Sequence, residues 1–397
     1  MGEEALQHFM SLGLVSILLM LAPLLSYLVK LPPSIAEILL GLCVASFGWL
    51  SPDDSVFFVL AKMGFFFLMF LAGMEIDLTY FRKLGISFAK RAIVYFATTY
   101  CLATLVVFNC GYPPFYIIVF PVMSVGMIVA LLKYYGKDQI WLNTALQIGI
   151  LGEFLSIIAL VVVNGFYTLG FTFELYKSLM FFVGFLLLIS LVFACVRVIF
   201  WWFPSLRLVF IPRQIQMNED IRFAMMLFFV FIAIVLYLKI DVILGAFFAG
   251  LVLANFFQYD QNLPKKLHDV GFGFFIPLFF VYVGSTLDVQ IILENAYLFH
   301  HALQLMGIMF CLHFCAHLLA NRRFFGDLLT LILSAFSSCV PLTFLVATAT
   351  LGKSIGALQE IEYYTFVIAA VSEGVFFVLA IKILNLWRKR TQKDSLK

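Results

Sequence analysis

Two carboxylates stand inside otherwise apolar stretches, Glu153 in ILGEFLSII and Glu373 in AVSEGVFF. Each follows a proline by the same 32 residues, Pro121 in the first case and Pro341 in the second. A charge at the centre of a bilayer costs roughly 2.5–3.5 kcal/mol on insertion scales, so a residue of this kind is expected to work for its place. A buried carboxyl can carry a proton, and as a carboxylate it is a hard oxygen ligand for a small cation. It can do one or the other at a time. The repetition of the proline–acid interval points to a duplicated chain with a site near the bilayer midplane. The alternative for either acid is a carboxyl neutralised by one structural partner. For Glu373 both an ion-binding or coupling role and a packing role stay open.

The prolines set the second group of candidates. Pro121 sits in IIVFPVMSVGM, with Ser124 and Gly126 just after it; Pro341 sits in SSCVPLTF, with Ser337, Ser338 and Thr343 around it. A proline within a helix removes a hydrogen bond and crowds the preceding turn. Two helices opened at these points would present freed backbone groups and hydroxyls to a cavity; two plain kinks are the other reading. Glu153, Ser124 and Thr343 are the expected ion ligands, and Pro121 and Pro341 the helix breaks. MFCLHFCAHLLANRR holds His313 and His317 on one helix face, with Cys311 and Cys315 close in sequence. His313 could titrate as a partner of Glu153, because imidazole changes charge near neutrality. It could also be a neutral packed side chain, or part of a soft-metal set that no other cysteine–histidine group completes. His313 and Glu373 are held as coupling or structural charges. Neither a resident metal nor a cofactor is expected.

These residues must be positioned by membrane helices. The chain is 64% hydrophobic and 12% charged, a balance outside that of soluble domains. Apolar runs of about 20 residues recur from end to end, as a hydrocarbon layer of roughly 30 Å requires. Short alternating segments of a β-barrel are not seen. Thirteen spans are expected, at about 9–29, 34–50, 55–76, 87–109, 115–135, 139–166, 178–202, 221–238, 241–257, 268–286, 296–320, 327–351 and 362–386. Basic residues then fall in alternate loops: Lys30; Arg82, Lys83, Lys90 and Arg91; Lys133 and Lys137; Arg207 and Arg213; Lys265 and Lys266; Arg322 and Arg323; and WRKR at 387–390. Asp53, Asp54, Glu174, Asp288, Glu294 and Glu360 occupy the opposite loops. The excess of Lys and Arg places the first set in the cytoplasm, with the N-terminus outside and the C-terminus inside. Glu3 and Glu4 precede the first run without a basic residue, so that run is expected to be a retained helix rather than a cleaved leader. The 11-residue tail after residue 386 leaves no room for a nucleotide-binding domain, and no phosphate-cradling glycine loop is present, so any pumping is expected to draw on an ion gradient. The seven cysteines form no disulfide framework and are expected to be small buried hydrophobes.

Ordered glycine matches support the duplication. Gly41-Leu42-Cys43-Val44-Ala45 resembles Gly250-Leu251-Val252-Leu253-Ala254, Gly64-Phe65 matches Gly271-Phe272, and the stretch from Gly73 to Asp77 matches that from Gly284 to Asp288. The second copy carries about four extra residues around Phe275-Ile276-Pro277. Span 2 then pairs with 9, 3 with 10, 5 with 12 and 6 with 13. An offset of seven spans inverts one copy relative to the other. The expected organisation is a first repeat at 1–177, a linker helix and loop at 178–220, an inverted second repeat at 221–386 and a basic tail at 387–397.

At LPPSIAEILLGLCVASFG, LAKMGFFFLMFLAGMEIDL, LGAFFAGLVLAN and FFIPLFFVYVGSTLDV the chain resembles the monovalent cation:proton antiporters, in the bacterial branch of NapA-type exchangers and Kef systems. The likeness covers nearly all of residues 9–385. It implies two crossed broken helices, a homodimer, a mobile ion-carrying core, Na⁺ (or K⁺ or Li⁺) and H⁺ as cargo, and a bacterial cytoplasmic membrane, with no nucleic acid and no enzymatic chemistry. The chain departs from that family at two points. Gly152-Glu153 stands where members carry Asp-Asp, Asn-Asp or Gln-Asp, and His313 stands where many carry lysine or arginine. A single carboxylate at the pair position leads to an expectation of one-for-one, electroneutral exchange. The competing readings are a sodium-coupled organic-anion symporter and a non-transporting membrane sensor.

Overall fold

The computed structural model describes the chain except residues 1, 30, 76–84, 137–138, 171, 174–175, 178–179, 181–183, 185–190, 192–194, 196–197, 199–201, 203–218, 239–241, 257–261 and 395–397. The expectations for Asp77, Lys30, Arg82, Lys83, Lys137, Glu174, Arg207, Arg213 and most of span 178–202 fall outside the described residues. All regular structure among the described residues is helical. The helices are α1 (Gly2–Val29), α2 (Pro33–Ser46), α3 (Ser55–Met74), α4 (Gly85–Cys110), α5 (Tyr116–Val119), α6 (Val125–Tyr135), α7 (Ile140–Leu169), α8 (Glu219–Tyr237), α9 (Val242–Phe256), α10 (Asn262–Val270), α11 (Ile276–Ser285), α12 (Val289–Glu294), α13 (Ala296–Phe325), α14 (Leu328–Ser338), α15 (Leu342–Ser354) and α16 (Glu360–Asp394). Among them, eight stretches are long and apolar enough to cross a membrane, and the bent pair α14–α15 makes a ninth. The shorter apolar helices α2 and α9 and the interrupted α5–α6 pair fall on expected spans, so the layout is compatible with thirteen crossings.

Both predicted breaks are present. The first helix stops at Val119 and restarts at Val125, with Pro121 between. The second stops at Ser338 and restarts at Leu342 with a 45° bend, and Pro341 stands at the restart. The extra residues of the second glycine copy fall where the chain loosens into a π turn, Gly271–Phe275, just ahead of Pro277. A π turn accommodates a residue that the α register cannot, and proline removes a bond from that register anyway. Gly326 ends α13 with φ +69°, a conformation without strain only for glycine, and Asp327 then caps α14 by accepting from the Leu329 and Thr330 amides.

The described chain forms two units, residues 1–65, 80–159 and 274–397 in one and 66–79 and 160–273 in the other. Glycines bring helix backbones into close contact in each. In the first unit a methyl on Gly41 would overlap the Val281 carbonyl oxygen, and one on Gly284 would overlap that of Ile38. The backbones of α2 and α11 therefore touch at two reciprocal points. In the second unit a methyl on Gly73 would overlap the Phe247 carbonyl, and one on Gly250 that of Phe70. Each of these glycines meets the residue three before its partner glycine. The matched positions from the sequence, Gly41 with Gly250 and Gly284 with Gly73, thus make the same contact in each unit. Small residues permit this approach, and Cα–H···O=C contacts reward it in a medium where helix association has no help from water. The second unit also holds an ion pair, Lys266 Nζ to Asp220 Oδ2 at 2.6 Å.

One expectation is corrected. Cys339 is buried, but Cys43, Cys101, Cys110, Cys195 and Cys311 face outward and Cys315 is half-buried. An apolar run marks a lipid-contacting helix as readily as a packed one, and a thiol suits either surface.

Candidate ion-binding site

The site is built where the first break meets α7. Ser124 occupies the N-cap position of α6 with extended backbone angles, φ −131° and ψ 127°, but its side chain makes no capping bond. Its hydroxyl instead lies 3.0 Å from that of Thr343, in the first turn of α15. The first amide of α6 is then left for another acceptor. Glu153 supplies it, Val125 N donating to Oε2 at 3.0 Å. A carboxylate from α7 therefore caps the positive end of a half-helix, a placement worth about 0.3–1 kcal/mol at a surface and up to about 2 kcal/mol when partly buried. Glu153, Ser124 and the neighbouring Ser156 are all buried, and the Ser156 hydroxyl, one turn along α7, has no hydrogen-bond partner.

Glycines bring α7 this close to the break. A methyl on Gly152 would stand 2.6 Å from Met123 Sδ, and one on Gly149 2.8 Å from Ile128 Cδ1. Met123, fully buried, belongs to a cluster with Tyr95, Ile148 and Ala316. The position at which the resembling family carries a second polar residue is thus filled by Met123 packing onto a bare backbone. A carboxylate, two hydroxyls and the end of a half-helix converge here, and together they can exchange a proton for a small cation on one acid.

The other expected residues are placed differently. His313 is fully buried and makes no hydrogen bond to Glu153: Nδ1 meets the Tyr95 hydroxyl at 2.6 Å, the Phe120 carbonyl beside the break lies near the ring, and Nε2 closes no hydrogen bond. Tyr95 carried no signal in the sequence beyond a tyrosine inside an apolar run. Glu373 is fully buried on α16 beside Cys339, at the second break, and neither of its oxygens has a hydrogen-bond partner. The two acids, equivalent by spacing from their prolines, therefore have different surroundings. His317 points inward like His313, while Cys311 faces out, because residues two apart on a helix lie on opposite sides. No group of three metal-ligating side chains forms among the described residues.

Among the described residues, all-helical apolar spans with breaks at Pro121 and Pro341 near buried acids have the architecture of a secondary transporter. The family described as sodium/hydrogen exchanger, transmembrane, matches residues 14–387, and the chain belongs to it. It is 25% identical over 418 residues to YjbQ of Bacillus subtilis (strain 168), covering 98% of this chain but 64% of YjbQ, so it spans about two-thirds or less of that relative's length. It is 24% identical over 291 residues to GerN of Bacillus cereus, an Na(+)/H(+)-K(+) antiporter, covering 71% of this chain and 72% of GerN. Its fold matches the sodium proton antiporter MjNhaP1 of Methanocaldococcus jannaschii with TM-score 0.66 and 14% identity, over 96% of this chain and 99% of that one.

Proposed function

We propose that the protein is a secondary active Na⁺/H⁺ antiporter working by alternating access in a bacterial cytoplasmic membrane. The observation that carries this reading is the Glu153 carboxylate on the Val125 amide that Ser124 leaves free, beside the Ser124–Thr343 hydroxyl pair. Family membership supports it. Glu153 takes the cation or the proton. Ser124 and Thr343 donate oxygens to the cation and hold the two breaks together when it is absent. Glu373 is a neutral, protonated coupling acid at the second break, since an unpartnered carboxylate in so dry a place would be costly. The reciprocal glycine contacts support the inverted-repeat organisation, 1–177 against 221–386. A homodimer with the N-terminus outside completes the proposal.

The purified protein in liposomes with an internal pH dye is the direct test. Na⁺ added outside should drive proton efflux from acid-loaded vesicles, with Li⁺ as a substitute. K⁺ belongs in the same titration because GerN's name includes it. No movement of an entrapped pH indicator with any of the three would reject antiport and favour a sensor. A solute-dependent Na⁺ current would favour the symporter.

Two further outcomes are expected from the same assay. With one acid swapping +1 for +1, exchange should proceed at an undiminished rate when valinomycin and K⁺ clamp the potential, and should create no potential of its own; a potential-sensitive dye responding to Na⁺ would show a different stoichiometry. Ser124→Ala and Thr343→Ala should each raise the Na⁺ KM about three- to tenfold, the equivalent of one lost ligand hydrogen-bonding group, with a smaller change in kcat. Unchanged KM in both would remove the hydroxyl pair from the cation site.

A further inference from the structure

On α13, His313, His317 and Asn321 recur every four residues and all lie at 1% exposure or less. They belong to one continuous line of polar groups. Arg91 Nη1 on α4 donates to Asn321 Oδ1 at 3.4 Å; Asn321 Nδ2 lies 3.2 Å from His317 Nδ1; His317 Nε2 lies 3.0 Å from Ser338 Oγ; the Ser338 hydroxyl lies beside the Tyr95 phenol; and Tyr95 OH lies 2.6 Å from His313 Nδ1. At the far end the Phe120 carbonyl of the break lies near the His313 ring, and His313 Nε2 closes no hydrogen bond.

The two ends fix the protons between them. A guanidinium only donates, so the Asn321 oxygen must face Arg91 and its NH₂ must face His317. His317 therefore accepts at Nδ1 and carries its proton on Nε2, which donates to Ser338. At the other end the nearby Phe120 carbonyl favours a proton on His313 Nε2, although no hydrogen bond is closed there, and leaves Nδ1 to accept from Tyr95. Donation runs from Arg91 to Ser338, whose hydroxyl gives its proton to the Ser334 carbonyl at 3.1 Å; turned from that carbonyl to the Tyr95 phenol beside it, the same hydroxyl continues the line towards Phe120. Eight residues of helix separate His313 from Asn321, about 12 Å. That is most of the half-thickness of a hydrocarbon core of roughly 30 Å. The charged or titratable groups facing this line are Arg91 and Tyr95 from α4, Cys339 from the second break and, beside Cys339, Glu373 from α16.

We propose that His317, Ser338, Tyr95 and His313 are a proton relay between the basic end of the helices and the first break, separate from the route of the cation. The relay rests on the antiport reading above and names how its proton travels. When Asn321 swings aside, a proton enters at His317 Nδ1. His317 passes its Nε2 proton to Ser338, Ser338 passes its own to Tyr95, and Tyr95 passes its own to His313 Nδ1. His313 then releases its Nε2 proton into the break. One proton enters and one leaves, and each relay group ends neutral. Return of the hydroxyl and imidazole protons to their starting atoms resets the line.

Tyr95→Phe deletes the central hydroxyl and leaves the ring in its cluster. In proteoliposomes this variant should exchange about tenfold more slowly at saturating Na⁺, with Na⁺ KM unchanged. The slowing of wild-type exchange in D₂O should change in the variant. Ser338→Ala should behave in the same way. Stabilisation of the detergent-purified variants by Na⁺ against heating should match wild type, which shows the fold and cation site intact. Wild-type turnover and pH profile in both variants would overturn the relay while leaving antiport standing. A joint loss of turnover and Na⁺ stabilisation in both would also overturn it, as the mark of a structural role. Absence of exchange by the unmodified protein would instead strike the antiport reading, and the relay with it.

Discussion

Glu153→Gln should reduce Na⁺-driven proton flux in proteoliposomes by about 100-fold or more while leaving the protein folded. The two halves of that outcome have separate causes. The amide oxygen of glutamine can still accept from Val125 N, so the contact that ties α7 to the start of α6 survives. The fold is therefore expected to tolerate the change, with a gel-filtration profile like that of wild type. Glutamine has no charge to offer a cation and no titratable proton. Removing one partner of a buried charge pair costs about 3–5 kcal/mol, and each 1.4 kcal/mol is tenfold in an equilibrium constant. Glu153→Asp should keep part of the activity, since it retains the chemistry and gives up reach. Exchange by Glu153→Gln at more than a few per cent of the wild-type rate would place the working acid elsewhere, and Glu373 would be next to test.

The same single acid sets a pH dependence. Protons and cations compete for Glu153, so the apparent Na⁺ KM should rise as pH falls. In the range where the acid is mostly protonated the rise should approach about tenfold per pH unit. A KM independent of pH, with kcat carrying the whole effect, would separate the two binding events.

Gly284→Ala should strongly destabilise the first unit. A methyl there would overlap the Ile38 carbonyl oxygen and approach the Leu42 amide, and both belong to backbone. Backbone of a packed helix does not yield as a flexible side-chain end does. Overpacking a tight interface typically costs about 1–3 kcal/mol, and separating α2 from α11 would also forfeit Cα–H···O contacts worth about 0.5–1 kcal/mol each. A fall in Tm of about 10 °C or more is expected, with poor recovery of monodisperse protein from detergent. Gly250→Ala should do the same to the second unit through the Phe70 carbonyl. The control is Gly13→Ala. Gly13 lies within α1 with nothing in contact range, so alanine should be neutral or slightly stabilising through helix propensity. Equal Tm values for Gly284→Ala and Gly13→Ala would mean the close approach of α2 and α11 contributes little.

The split between local and long-range information explains what could be read ahead of the structure. Hydrocarbon imposes a length and a composition on each crossing, so the helices could be read along the chain. Proline acts on the turn that contains it, so both breaks were legible at Pro121 and Pro341. Glycine pairs were legible through their order, although their reciprocal contact with the residue three before each partner was not. The cysteine expectation failed because an apolar run does not say which face of a helix meets lipid.

What only the tertiary structure decided is which groups meet. Ser124 and Thr343 are 219 residues apart, and Tyr95 and His313 are 218 apart. No periodicity links such positions; only the crossing of the broken helices and the packing of α4 on α13 bring them together. The two acids look alike by spacing, yet one caps a half-helix and the other is buried without a hydrogen-bond partner. The physical reason is that a carboxylate's role depends on the donors within about 3 Å of it, and in a helical membrane protein those donors come from other crossings.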